Sequence, residues 1–187
     1  MGKDLIFIND YFDEYIKIIL GRDDENIINF KESIKSTVKN GGKLYFVGNG
    51  ASASLSSHAA TDFTKQAKME AHAFNDHNLI TALSNDYGYE NWVEKAIEMY
   101  VKVTDQIIFI SVSGNSPNLV NGLKYANKAG IKTASLAGCE PDNYIRVNSK
   151  NSIWVNSKAY NIVESIHTTF LTLIIDLLIG KSIYSVS

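Results

Sequence analysis

Residues 106–112, Gln-Ile-Ile-Phe-Ile-Ser-Val, are apolar on successive rather than alternate positions. That pattern fits a strand covered on both faces, and such strands belong to parallel sheets whose crossovers are helices. The run leads directly into Ser113-Gly-Asn-Ser116 and then Pro117. Proline suits the first turn of a helix, with Ser116 as its N-cap. The same design stands earlier in the chain. Leu44 to Val47 reads as a short buried strand, Gly48-Asn-Gly50 as a tight turn, and a helix begins near Ser52. Backbone N–H groups at a helix N-terminus, backed by the helix dipole, bind phosphate well. The hydroxyls of Ser111, Ser113 and Ser116 would add donors without charge. Two such turns facing one ligand form the skeleton of a sugar-phosphate site. The turns lack the lysine of a P-loop and the second glycine of a dinucleotide fingerprint, so no nucleotide cofactor is expected.

The remaining pattern alternates strand and helix. Apolar residues from about Leu5 to Leu20 form a helical stripe broad enough to suggest burial on more than one side, against a neighbouring subunit. A second helix is predicted from about Glu25 to Val38, closed by Asn40-Gly-Gly42. Leu79 to Leu83 reads as a short strand, followed by the polar turn Ser84-Asn-Asp-Tyr-Gly-Tyr89 and a helix from Glu90 to Val103. After Pro117 a helix continues to Ala129. Strands are predicted at Ile131–Leu136 and Ser152–Val155, and a last helix, apolar nearly all round and expected to be buried, from Tyr160 to Leu178. The expectation is α/β: a three-layer sandwich on a five-stranded parallel sheet, with helices added at the N-terminus over about residues 1–40 of a single domain spanning 1–187. Ligands of such sheets sit beyond the carboxyl ends of the strands, where both Gly-Asn turns fall.

Charge and cysteine content narrow the function classes. A net charge of −2 gives no electrostatic reason to expect nucleic acid. The lone Cys139 cannot form an internal disulfide, which suits a reducing cytoplasm. No signal peptide is read at the start, and the apolar run Phe170–Gly180 is too short to span a bilayer, so no membrane is expected.

Two pairs of side chains could do proton chemistry. His58 and Asp62, spaced i, i+4, share a helix face just after the first turn. They read either as a solvated pair, or as a general base with a neighbour that could help hold a divalent metal. Glu164 and His167, at i, i+3, lie on a helix otherwise made of Ile162, Val163, Ile166, Phe170 and Leu171. Charged groups in that setting need partners or a purpose; the plain alternative is a helix-start carboxylate and a satisfied core histidine. Asn85 and Asp86 are ligand contacts or a capped turn.

Gly48-Asn-Gly-Ala-Ser52 with His58 and Asp62, Asn85-Asp-Tyr-Gly-Tyr89, and Ser111-Val-Ser-Gly-Asn-Ser116 together resemble the SIS (sugar isomerase) domain family, in its phosphoheptose isomerase branch. The resemblance covers nearly the whole chain and implies a flavodoxin-like doubly wound fold. It implies that Asn49, Gly50, Ala51, Ser52, Ser111, Val112, Ser113 and Ser116 hold the phosphate and sugar hydroxyls. Asn85, Asp86 and Glu164 would line the same pocket. It also implies a homotetramer with active sites at subunit contacts, and a base at Asp62 moving a proton between C1 and C2 of a phosphorylated ketose or aldose. Some members bind zinc; here His58, Asp62 and Glu164 would be the ligands.

Two departures from the family pattern bear on catalysis. Asp62 stands where members carry glutamate, so its carboxylate reaches about 1.5 Å less, and a misplacement of about 1 Å can cost on the order of a hundredfold in rate. Thr172 stands where the family's catalytic histidine would be, and Glu164 where it has glutamine. Glu164 or His167 would then have to supply the second proton-transfer group. The implied activity is isomerisation of sedoheptulose 7-phosphate to a heptose 7-phosphate through an enediol. The competing expectation is a catalytically silent module that binds a sugar phosphate as sensor or assembly partner.

Overall fold

The computed structural model describes residues 2–183. Five parallel strands, β1 (Leu44–Gly48), β2 (Ala71–Ala73), β3 (Gln106–Ser111), β4 (Lys132–Ala137) and β5 (Asn151–Trp154), form one sheet in the order β2-β1-β3-β4-β5. Every residue of β1 and β3 is buried, as the unbroken apolar runs predict. Helices α2 (Asp24–Lys39), α3 (Ala51–Lys65) and α8 (Tyr160–Ile179) cover one face, where Phe30, Phe46, Phe63 and Ile166 pack together. Helices α4 (His77–Tyr87), α5 (Trp92–Tyr100) and α6 (Pro117–Lys128), with the short α7 (Tyr144–Asn148), cover the other around Trp92, Ile97, Phe109 and Leu119. The chain leaves β1 toward β2 on one side and resumes at β3 on the other, so the strand order reverses between β1 and β3. That is the point at which a doubly wound sheet opens a ligand crevice at its carboxyl edge.

The expected strand at 79–83 is instead part of α4. Asp76 accepts hydrogen bonds from the backbone N–H of Asn78 (2.9 Å) and Leu79 (3.1 Å), an N-cap that starts a helix there. Leu79, Ile80 and Leu83 then share the helical face turned to the core. The fifth strand is β2, whose central His72 is exposed.

Helix α8 is not buried all round. Ile162, Val163, Ile166, His167, Phe170, Leu171, Ile174 and Ile175 are buried, while Thr168, Thr172, Leu173 and Leu177 face outward. By length and composition α8 would pass for a membrane span, yet one side of it builds the core of this fold. The leading helix α1 (Gly2–Leu20) has no buried residue; its contact with the body includes a 2.9 Å hydrogen bond between the Tyr15 and Thr169 hydroxyls.

Candidate active site

The crevice lies between the N-termini of α3 and α6, which leave β1 and β3 toward opposite faces of the sheet. Gly48 makes this approach possible: a Cβ there would stand 2.6 Å from the Ser52 Cβ and 2.9 Å from the Ile110 carbonyl oxygen. Gly50, at φ +57°, is the N-cap of α3 and supplies no side chain to it. Ser116 is the N-cap of α6 but makes no side-chain cap bond, so its hydroxyl is not spent on its own helix. Neither helix carries an acidic residue in its first turn, so both positive dipole ends stay available to an anion.

The two turns are laced together. Asn49 Nδ2 donates to Asn118 Oδ1 at 3.0 Å, and Asn118 Nδ2 donates back to Asn49 Oδ1 at 2.9 Å. Tyr89 adds its hydroxyl to the same Asn49 oxygen at 3.3 Å. The Asn49 amide thus acts first as a strut. Asn118 is buried in the first turn of α6 and was not singled out by sequence; its partner is 69 residues away, and only a polar side chain just inside a helix start hinted at it. In the serine loop, Ser111 Oγ accepts from Gly114 N at 3.0 Å, so that hydroxyl braces the turn, while Ser113 and Ser116 stay partly exposed. Val112 is buried, its carbonyl taking the Gly138 N–H.

A cavity of about 520 Å³ adjoins the crevice between α3 and α8. Ala51, Ser52, His58, Glu164 and His167 line it together with Thr168. Sequence reasoning anticipated five of its groups and missed Ser54, Leu55, Asn161, Ser165 and Thr168, while Asp62, the expected base, is not among the lining residues. His58 Nε2 lies 3.2 Å from Asp62 Oδ2, with the His58 side chain 61% exposed and Asp62 only 14%. His167 is wholly enclosed, neither ring nitrogen making a hydrogen bond of good geometry, and burial lowers it from 6.5 to about 4, against a weak opposing pull from the Ala137 backbone. It is therefore neutral near pH 7. Thr172 is exposed one turn beyond Thr168, its hydroxyl donating to the Thr168 and Thr169 carbonyls.

Two expected groupings are not assembled within a single chain. Among the described residues no group of three or more His, Cys, Asp or Glu side chains is placed to hold a metal, so His58, Asp62 and Glu164 do not form a zinc site on their own. The i, i+4 pair on α3 supplies two donors, and Glu164, on α8, lines the same cavity as His58. Asn85 and Asp86 lie near the end of α4, where Asn85 Nδ2 donates to Asp86 Oδ1 at 2.9 Å in an exposed setting, and neither lines the cavity.

The chain matches the SIS domain family model over residues 9–138. It is 31% identical over 176 residues to a protein of Thermoplasma volcanium named a probable phosphoheptose isomerase, covering 91% of this chain and 89% of that one. It is 32% identical over 154 residues to a phosphoheptose isomerase of Akkermansia muciniphila, covering 79% and 80%. In fold it is similar to the phosphoheptose isomerase of Neisseria gonorrhoeae, with a TM-score of 0.85 at 24% identity over 93% of this chain and 98% of the other.

Proposed function

Because this chain belongs to the SIS domain family, we propose that it interconverts an aldose and a ketose phosphate, sedoheptulose 7-phosphate and its heptose isomer. The observation that carries the proposal is the crevice at the strand-order reversal, where two uncapped helix N-termini and the Ser113 and Ser116 hydroxyls meet beside a cavity lined by carboxylate and imidazole. The crevice would hold the phosphate and leave C1 and C2 of the open-chain sugar toward His58, Asp62 and Glu164. Asp62 takes the proton from the carbon next to the carbonyl. The enediol forms as the carbonyl oxygen gains a proton from Glu164; Asp62 then returns its proton to the former carbonyl carbon while the hydroxyl on the neighbouring carbon gives its proton to Glu164, which completes the isomer. His167, neutral and sealed, can orient a neighbour by hydrogen bonding but lacks the charge a strong general acid would carry.

A second reading of the base rests on one observation: His58 lines the cavity, whereas Asp62, largely buried behind it, does not. Asp62 would then hold His58 Nε2 and leave Nδ1 to abstract the proton. Turnover of sedoheptulose 7-phosphate by the purified protein, followed by NMR, tests the activity, and comparing Asp62→Asn with His58→Asn assigns the base. A chain that binds the sugar phosphate without turnover, unchanged by Asp62→Ala, would be a silent sensor or assembly module instead. We further propose a homotetramer built through the open apolar face of α1, acting in the cytoplasm where phosphorylated sugars are made.

A further inference from the structure

A third element reaches the crevice between the two helix N-termini. Helix α4 ends at Gly88, whose φ of +84° turns the chain, and Tyr89 follows with its hydroxyl 3.3 Å from Asn49 Oδ1. The loop that carries Tyr89 is well tied. Asn91 N donates to the Gly88 carbonyl at 3.1 Å, and Asn91 Nδ2 to the Tyr87 carbonyl at 2.9 Å. Asn121 Nδ2, on α6, donates to the Glu90 carbonyl at 3.0 Å and to Asn91 Oδ1 at 3.2 Å. The loop is thus fastened to the helix whose N-terminus forms one wall of the crevice. Tyr89 is a fixed post beside that wall, and its side chain is still 57% exposed.

The bond to Asn49 is weak and replaceable. An O–H···O hydrogen bond is normally about 2.7–2.8 Å long, and Asn49 Oδ1 already accepts from Asn118 Nδ2 at 2.9 Å. Turning the Tyr89 hydroxyl away therefore leaves Asn49 satisfied. An anion in the crevice offers that hydroxyl a better acceptor. Residues 48–54 and 111–118 include no lysine or arginine, so the two turns present only neutral donors. A hydrogen bond to an ionised acceptor is roughly twice as strong as one between neutral groups, which favours the exchange of an amide oxygen for a phosphate oxygen. Resting on the sugar-phosphate reading above, we propose that Tyr89 is a third arm of the phosphate site, its hydroxyl leaving Asn49 to donate to the bound phosphate.

Tyr89→Phe removes the hydroxyl and keeps the ring. Binding of inorganic phosphate, followed by phosphorus NMR, and steady-state turnover of sedoheptulose 7-phosphate read the change. The Kd for phosphate and the KM for the sugar phosphate should both rise about fivefold or more, with kcat within about twofold and the urea midpoint unchanged. Tyr87→Phe, on α4 with its ring under Lys95 Nζ at 5.4 Å, is the control and should match the parent in every measure. Unchanged phosphate binding in Tyr89→Phe overturns the proposal; if stability falls as well, Tyr89 is only a strut for Asn49. A raised KM with the phosphate Kd untouched puts the hydroxyl on the sugar and overturns the assignment to phosphate. A parent that binds no phosphate removes the crevice reading and this inference with it. A parent that binds phosphate more tightly than Tyr89→Phe yet turns nothing over upholds this inference and overturns only the isomerase reading.

Discussion

Asn49 and Asn118 exchange two amide hydrogen bonds, 3.0 and 2.9 Å long, across the gap between the exit of β1 and the start of α6. The pair fixes how far apart the two helix N-termini stand, and hence the width of the phosphate crevice. Replacing Asn118 by alanine leaves the Asn49 Nδ2 without its acceptor and its Oδ1 with the Tyr89 hydroxyl alone, a loss of about 1 kcal/mol for each hydrogen bond removed. Asn118→Asp keeps the shape but sets a negative charge beside an anion site. We expect the KM for the sugar phosphate to rise at least tenfold in Asn118→Asp, with a smaller change in kcat. Steady-state kinetics showing kcat reduced and KM untouched would contradict a role in holding the crevice.

Asp62 carries the proton transfer in the leading reading. Asp62→Asn keeps the size and the contact with His58 but removes the basic oxygen, so kcat should fall by about 10²–10⁴ while the protein remains folded. Asp62→Glu restores the methylene the family pattern has at this position and should stay within about tenfold of the parent. A fall in Asp62→Asn of less than threefold, with His58→Asn inactive, would move the base to His58.

Acid stability should report on His167. The unfolded chain takes up this proton as the pH falls through about 6.5, whereas the folded protein resists it down to about 4. Between those values the unfolded state binds more protons, so stability rises with pH. The contribution is fully present above 6.5 and is lost progressively as the pH drops toward 4. At about 1.4 kcal/mol per pH unit, the loss is on the order of 3 kcal/mol. Urea titrations at pH 7 and pH 4.5 should show it in the parent, and His167→Gln and His167→Leu should both flatten the difference. If the variants lose as much stability on acidification as the parent, the histidine is not the cause.

How much of this could be read beforehand follows from the range of the interactions. β1 and β3 were legible because Leu44–Val47 and Ile107–Ile110 are apolar without interruption, and only a doubly covered strand uses such a run. β2 was not legible: Ala-His-Ala is three residues long with an exposed centre and carries no period. Leu79–Leu83 fits either period over so short a stretch, and the Asp76 cap decides it. In the site, His58 and Asp62 announce themselves through local spacing, while Asn118 depends on a contact distant in sequence. A three-residue metal grouping was beyond the sequence for the complementary reason, since residue types alone do not say how Glu164 is placed relative to the α3 pair.

The serine loop depends on Gly114. At φ +66° a side chain is strained, and its Cβ would fall 1.8 Å from Asn143 Oδ1. Asn143 cannot give way cheaply: it is buried, accepts from Arg146 N and donates to the Gly138 and Glu140 carbonyls. Gly114→Ala should therefore destabilise by about 2–4 kcal/mol. Gly50→Ala, at φ +57° and ψ −125° with open space around it, meets backbone strain without a collision and should cost about 1–3 kcal/mol. Chemical denaturation of the two variants side by side distinguishes backbone strain from collision; equal losses would mean that Asn143 yields.

Helix α1 presents Phe7 (69% exposed), Phe12 (57%) and Ile16 (52%) to solvent, while Tyr11, Tyr15, Ile18 and Ile19 pack only partly buried against the core. Fully covering such side chains is worth about 1.5–3 kcal/mol each, which favours assembly through this helix and supports the proposed tetramer. Phe7→Glu, Phe12→Glu and Ile16→Glu combined should convert a tetramer into smaller species by light scattering at micromolar concentration. The Tyr15–Thr169 hydrogen bond, on another side of the helix, is left in place by these changes. Loss of turnover together with loss of assembly would mean that neighbouring chains complete the cavity between α3 and α8. Full activity in the dispersed variant would confine catalysis to a single chain, and a parent protein that runs as a monomer would remove the case for assembly through α1.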